Sequence, residues 1–78
     1  MKLEYDRAHD VMYIWLGQHV ERAFGVRLDD SRHIDFGDDR QPIGIELLDV
    51  SMGVETAGLP KRETVDRMLN RYGIKVFE

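Results

Sequence analysis

Val11 to Leu16 is the stretch that most restricts what this chain can fold into, because it is apolar or aromatic on both of its alternating faces. In an extended strand Met12, Ile14 and Leu16 point one way and Val11, Tyr13 and Trp15 the other, so both sides of the sheet need cover there. One short helix cannot cover both. The strand therefore predicts a surface for a partner ahead of an active site.

The chain has 78 residues, room for one domain, 1–78, below the usual size of about 100–150 residues. A domain this small buries only about 60% of its unfolded surface, and association is a common remedy, so a homodimer is expected. With no cysteine, neither a disulfide framework, a thiol nucleophile nor a thiolate-held zinc or iron–sulfur site can form. Fifteen acidic against eleven basic residues give a net charge of −4, which repels a phosphate backbone at long range and argues against nucleic acid as a partner. Met1 to Asp6 alternates charge and hydrophobe, unlike a signal peptide, and no run approaches the roughly 18 apolar residues of a membrane span. The expectation is a cytoplasmic protein with no membrane partner.

Period-two alternation runs through Lys2–Asp6 and Val11–Leu16, with the polar, turn-prone Asp6-Arg7-Ala8-His9-Asp10 between them, which predicts a hairpin. Arg22 to Leu28 and His33 to Phe36 alternate again around Asp29-Asp30-Ser31-Arg32, and Ile43 to Val50 makes a fifth strand after a loop over residues 37–42. Antiparallel neighbours set residues of one face opposite each other. Pairing Leu3 with Ile14, Tyr5 with Met12, Leu16 with Phe24, Ile14 with Val26, Val26 with Phe36 and Ile34 with Ile45 satisfies that rule without a bulge. The predicted core face is Leu3, Tyr5, Met12, Ile14, Leu16, Phe24, Val26, Leu28, Ile34, Phe36, Ile43, Ile45 and Leu47.

Beyond Val50 the pattern changes. Pro60 sits where a first helical turn tolerates it, Val65, Met68, Leu69 and Tyr72 recur at helical spacing, and Gly73 stands as a terminator, which predicts one amphipathic helix over 60–72. Ile74 to Phe77 is β-like again, a possible edge strand over 74–77. The fold class is α+β: an antiparallel five-stranded β-meander, a C-terminal amphipathic helix and a short terminal strand.

Tyr5-Asp6, Asp10, Met12-Tyr13-Ile14-Trp15-Leu16, Ile34-Asp35-Phe36 and Ile43-Gly44-Ile45-Glu46-Leu47-Leu48-Asp49-Val50-Ser51 resemble the small prokaryotic family known as domain of unknown function twenty-two eighty-three. The resemblance spans residues 2–52, and the helix and tail are similar to an extension that many members carry. It implies a fold and no reaction. Some members are encoded beside small toxin-like proteins, which would imply an antitoxin-like role with a small protein partner.

Candidate chemistry is sparse. The expected register sets His33 opposite Glu46 with Asp35 two residues along, and a histidine steered by a carboxylate is how general bases are made. The same trio is also an ordinary charged group on a solvated sheet face, and no nucleophile, metal or oxyanion donor accompanies it. Asp29, Asp30, Asp35, Asp38 and Asp39 lack the spacing of a calcium loop and read as turn aspartates, while His9, His19 and His33 lack zinc-binding spacing; no cofactor and no metal are expected. Lys61, Arg62, Arg67 and Arg71 could form a basic stripe, but Glu63 and Asp66 interrupt it.

The other sheet face carries aromatic residues. The expected register sets Trp15 over Gly25 and Tyr13 between Glu4 and Arg27, so that Arg27 stacks on the phenol. Val11, Tyr13, Trp15, Arg27 and Leu48 are then the interface residues, being of the types enriched where proteins bind. The sequence is thus read as a non-catalytic protein–protein interaction module acting as a homodimer. The alternatives are an antitoxin presenting an acidic surface and a small hydrolase or nuclease built on His33, Glu46 and Asp35.

Overall fold

Alternation builds the strands where the sequence predicts them, as the computed structural model, which describes residues 1–17 and 20–77, shows. Strands β1 (Lys2–Asp6), β2 (Val11–Trp15), β3 (Phe24–Asp29), β4 (Arg32–Phe36) and β5 (Pro42–Leu48) form one antiparallel sheet. A 3-10 turn at Val50–Met52 leads into β6 (Val54–Glu55), helix α1 (Arg62–Arg71) and β7 (Val76–Phe77), and β7 lies parallel to β6. The α+β class holds, with five antiparallel strands, one C-terminal helix and a short terminal strand.

The strand order is β1-β2-β5-β4-β3, so β2 lies against β5 and not against β3. Leu3–Ile14, Tyr5–Met12 and Ile34–Ile45 pair as expected. Leu16 does not meet Phe24, nor Ile14 Val26: Ile14 faces Ile45, Met12 faces Leu47, Val26 faces Ile34 and Phe24 faces Phe36. Parity keeps faces consistent for either neighbour of β2, so it cannot choose between them. Burial chooses. Side by side at the sheet centre, β2 and β5 bury Met12, Ile14, Ile45 and Leu47, while β3, with only Gly25 and Arg27 between its apolar residues, takes the edge. Register also shifts between Arg27 and Asp29 and between Asp35 and Phe36, where a bulge-free ladder was expected.

Helix α1 covers the Met12 face. Val65 and Leu69 join Met12, Ile14, Leu16, Ile34, Ile45, Leu47, Val50, Val54 and Leu59 in one buried cluster, with Met68 packed at its side. The helix ends as Gly73 predicts: at φ +72° its N–H donates to Asn70 O (3.1 Å) and the Ile74 N–H to Leu69 O (2.9 Å), which satisfies the last carbonyls. Tyr72, counted on the apolar stripe, is exposed. Phe24, Val26 and Leu28 on the edge strand are 39–41% exposed and lie outside the core they were assigned to.

Residues that carry the family resemblance tie this fold together. Asp10, held at φ +57°, accepts from the Tyr5 hydroxyl (2.6 Å), the Ser51 hydroxyl (2.6 Å) and the Ser51 N–H (2.9 Å), so one carboxylate joins the first hairpin to the end of β5. Those hydrogen bonds hold its carboxyl below the ordinary aspartate value. Farther along, Arg32 donates to the carbonyls of Glu55 (2.9 Å) and Ala57 (2.6 Å), and the Lys61 ammonium to the Leu16 carbonyl (2.9 Å). The segment after the sheet is thus fastened by charge-assisted bonds as well as by burial.

Candidate functional site

The face of the sheet opposite α1 holds His33, Asp35 and Glu46. Register lays two rows across it: Lys2, Trp15, Gly44, Asp35 and Gly25 in one, and Glu4, Tyr13, Glu46, His33 and Arg27 in the next. Two glycines flank Asp35, and that decides the local geometry. A Cβ on Gly44 would run into the Tyr13 phenol, and one on Gly25 into the His33 ring and the Arg22 guanidinium. The missing side chains let Tyr13 lean across one strand from one side and His33 and Arg22 close in from the other.

Asp35 is where they converge. The Tyr13 hydroxyl donates to Asp35 Oδ2 (2.8 Å), Arg22 Nε donates to Oδ1 (2.8 Å), and His33 Nε2 lies 3.3 Å from Oδ1. Burial pushes the Asp35 carboxyl up, yet the bonds from Arg22 and Tyr13 and the positive charge beside it prevail and hold it below the usual aspartate value. The Tyr13 phenol moves the other way, pushed far up by burial, by the bond to Asp35 and by the charges of Asp35 and Glu46. It stays protonated and acts as a donor, not a base.

His33 faces Glu46 as expected, but its close carboxylate is Asp35. Arg27 sits on the edge strand, three strands from Tyr13, and its guanidinium bonds Asp30 (2.8 Å), so it does not stack on the phenol. Trp15 lies opposite Gly44 rather than Gly25, with its ring edge-on to Tyr13 (centroids 4.7 Å apart) and the Lys2 ammonium 5.1 Å from its centroid. Val11, Tyr13 and Trp15 line β2 with Leu48 beside Val11, so four of the five expected interface residues are neighbours and Arg27 is not.

A shallow concavity of about 320 Å³ opens beside this cluster, lined by Arg27, Asp29, Asp30, Arg32, His33, Glu46 and Leu48. Its charges are largely spent locally: Arg32 on Asp29 (2.9 Å) and Arg27 on Asp30. Among the described residues no group of three or more His, Cys, Asp or Glu is arranged to hold a metal ion. His19 lies outside the described residues. The basic stripe dissolves, since Lys61 is turned to the Leu16 carbonyl and Arg62 bonds Thr56 Oγ1 (3.1 Å). No helix among the described residues is long and apolar enough to cross a membrane.

Arg22 and Gly44 belong to the cluster without having been predicted. Arg22 opens the expected alternation on the Phe24 face, but β3 begins only at Phe24 and Arg22 turns to Asp35 on the other face. Gly44 gains its meaning only once β5 is known to lie beside Tyr13.

The Tyr13–Asp35 bond makes stability depend on pH at both ends. Asp35 has a folded-state value below its free value of 3.8, so its contribution is present above that pH and lost as pH falls through the folded value. Tyr13 has a folded-state value above its free value of 10.0, so its contribution is complete below that pH and lost as pH rises through the folded value. Tyr13→Phe should flatten the alkaline limb of a melting-temperature profile and make the acid limb shallower. An unchanged profile would show that the bond carries no stability.

The family model described as Protein of unknown function (DUF2283) matches residues 2–51. No curated protein and no solved structure matches the chain.

Proposed function

The chain belongs to the DUF2283 family, whose description carries no activity, and we propose from its own surface that it is a non-catalytic interaction module acting as a homodimer. The observation that carries this reading is the uncovered β3 end of the core face. Phe24, Val26 and Leu28 are exposed on an edge strand in a chain with little apolar surface to spare, with Phe24 stacked on Phe36 (centroids 5.0 Å apart). An apolar, unpaired edge is a ready template for another strand.

The polar face supports the non-catalytic half. Asp35, the carboxylate nearest His33, already accepts from Tyr13 and Arg22, and the adjoining concavity is shallow and open, without the enclosure that excludes water from a reacting centre.

Light scattering at micromolar protein should report about twice 9.1 kDa. A monomer at millimolar concentration removes the homodimer. Turnover of RNA, phosphoester, ester or peptide substrates that disappears in a folded His33→Ala, Glu46→Ala double variant would instead make the protein an enzyme.

A further inference from the structure

We infer that the homodimer forms by antiparallel pairing of β3 with β3 of a second copy, about a two-fold axis through Val26, joining two five-stranded sheets into one of ten. This rests on the homodimer proposed above and adds its surface and register.

Backbone direction comes first. The Leu16 N–H donates to Ile43 O (3.0 Å) and the Leu48 N–H to Ser31 O (2.8 Å), which fixes the alternation along β5 and hence along β4. Ser31, His33 and Asp35 turn their backbone groups to β5, and Ile34 and Phe36 turn theirs to β3. The Ala23 N–H donating to Phe36 O (2.8 Å) agrees. Opposite them, Phe24 and Val26 point inward, so the N–H and C=O of Gly25 and Arg27 point away from the sheet. Among the described residues no strand lies beyond β3.

Register follows from side chains. A symmetric antiparallel pair must set residues of one face opposite each other, which leaves axes through Gly25, Val26 or Arg27. An axis through Arg27 sets two guanidinium groups face to face and Phe24 opposite Asp30. One through Gly25 carries Leu28 past the start of the other copy's β3, where Arg22 turns to Asp35 on the other face. The axis through Val26 sets Val26 opposite itself and Phe24 of each copy toward Leu28 of the other, which the bulge between Arg27 and Asp29 leaves without a partner on β4. It also pairs Gly25 with Arg27 on both sides of the axis, so the outward groups of each satisfy the other.

The same axis brings Arg22 beside Asp30 of the other copy, whose carboxylate is fully exposed. Each end of the junction then holds Arg22 and Asp35 from one copy and Arg27 and Asp30 from the other, two charges of each sign. The opposite edge is unsuited. Self-pairing of β1 about Glu4 sets two carboxylates face to face, and its apolar residues Leu3 and Tyr5 are already packed on the core.

Val26 is exposed, so charged substitutions there spare the fold. Val26→Asp and Val26→Lys each put like charges on the axis and should weaken dimerisation at least about tenfold, giving 9.1 kDa by light scattering at micromolar protein. An equimolar mixture of the two should regain twice that mass. Amides of Gly25 and Arg27 should be protected from hydrogen exchange in the wild-type dimer and exchange freely in Val26→Asp.

Folded variants that both remain dimeric overturn the β3 junction and leave the homodimer standing on another surface, which loss of the dimer in Trp15→Ala would place on the aromatic face. Two monomeric variants that fail to combine overturn the Val26 axis. A wild-type monomer at millimolar concentration overturns both the junction and the homodimer.

Discussion

A chain cut after Met52 should show no cooperative unfolding transition, although the family match at residues 2–51 ends just before that point. The reason lies in who supplies the core. Val54, Leu59, Val65 and Leu69 are at most 5% exposed and belong to the same cluster as Met12, Ile14, Ile45 and Leu47. Burying side chains of this kind contributes about 1.5–3 kcal/mol each, so the four together supply roughly 6–12 kcal/mol. That is as large as the whole stability of a typical domain, about 5–15 kcal/mol. The cut also removes the carbonyls that hold Arg32 and the ammonium that caps Leu16. Thermal melting followed by circular dichroism checks this, and a sigmoidal melt near the full-length temperature would mean that the sheet does not depend on the helix.

What the sequence made legible, and what it hid, divides by the range of the interactions involved. Strand positions, the helix and its glycine stop rest on local periodicity and turn chemistry, and they are found where expected. So is the hairpin, because a short connection leaves β1 and β2 little choice but to pair. The neighbour of β2 is a different matter. Side-chain parity fixes the face of each strand but is blind to strand order, and order is set by how much apolar area the whole sheet buries. Placing β5 beside β2 carries Gly44 under the Tyr13 phenol and so lets Tyr13 reach Asp35, a contact between residues 22 apart in sequence.

That one exchange of neighbours accounts for most of the misplaced surface. With β3 beside β2, Trp15 would rest on Gly25 and Arg27 on Tyr13, and Phe24, Val26 and Leu28 would be central. At the edge, β3 exposes those apolar residues, and its glycine serves His33 and Arg22 instead. The two-sided apolar strand that first suggested a partner sits deep in its own sheet. The exposed Phe24, Val26 and Leu28 lie three strands of sheet order away from it, on β3.

Adjacent positions on β2 give the sharpest test of which face is core. Ile14 has no exposed surface and lies between Leu3 and Ile45, so Ile14→Ala removes methyl groups from a closely packed site and should lower stability by about 2–5 kcal/mol. In a domain of this size that is a fall of at least about 8 °C in melting temperature. Trp15 is the larger residue, yet it is only half-buried, and its named contacts are the Tyr13 ring and the Lys2 ammonium. An edge-to-face aromatic pair adds about 0.5–1.5 kcal/mol beyond its area, and an exposed cation–π contact about 0.5–1 kcal/mol. Trp15→Ala should therefore cost less than Ile14→Ala despite deleting more atoms, and under the β3 junction it should leave the mass in solution unchanged. The reverse order, with tryptophan the more damaging loss in chemical denaturation of both variants, would make the aromatic face the buried one and move the dimer contact there.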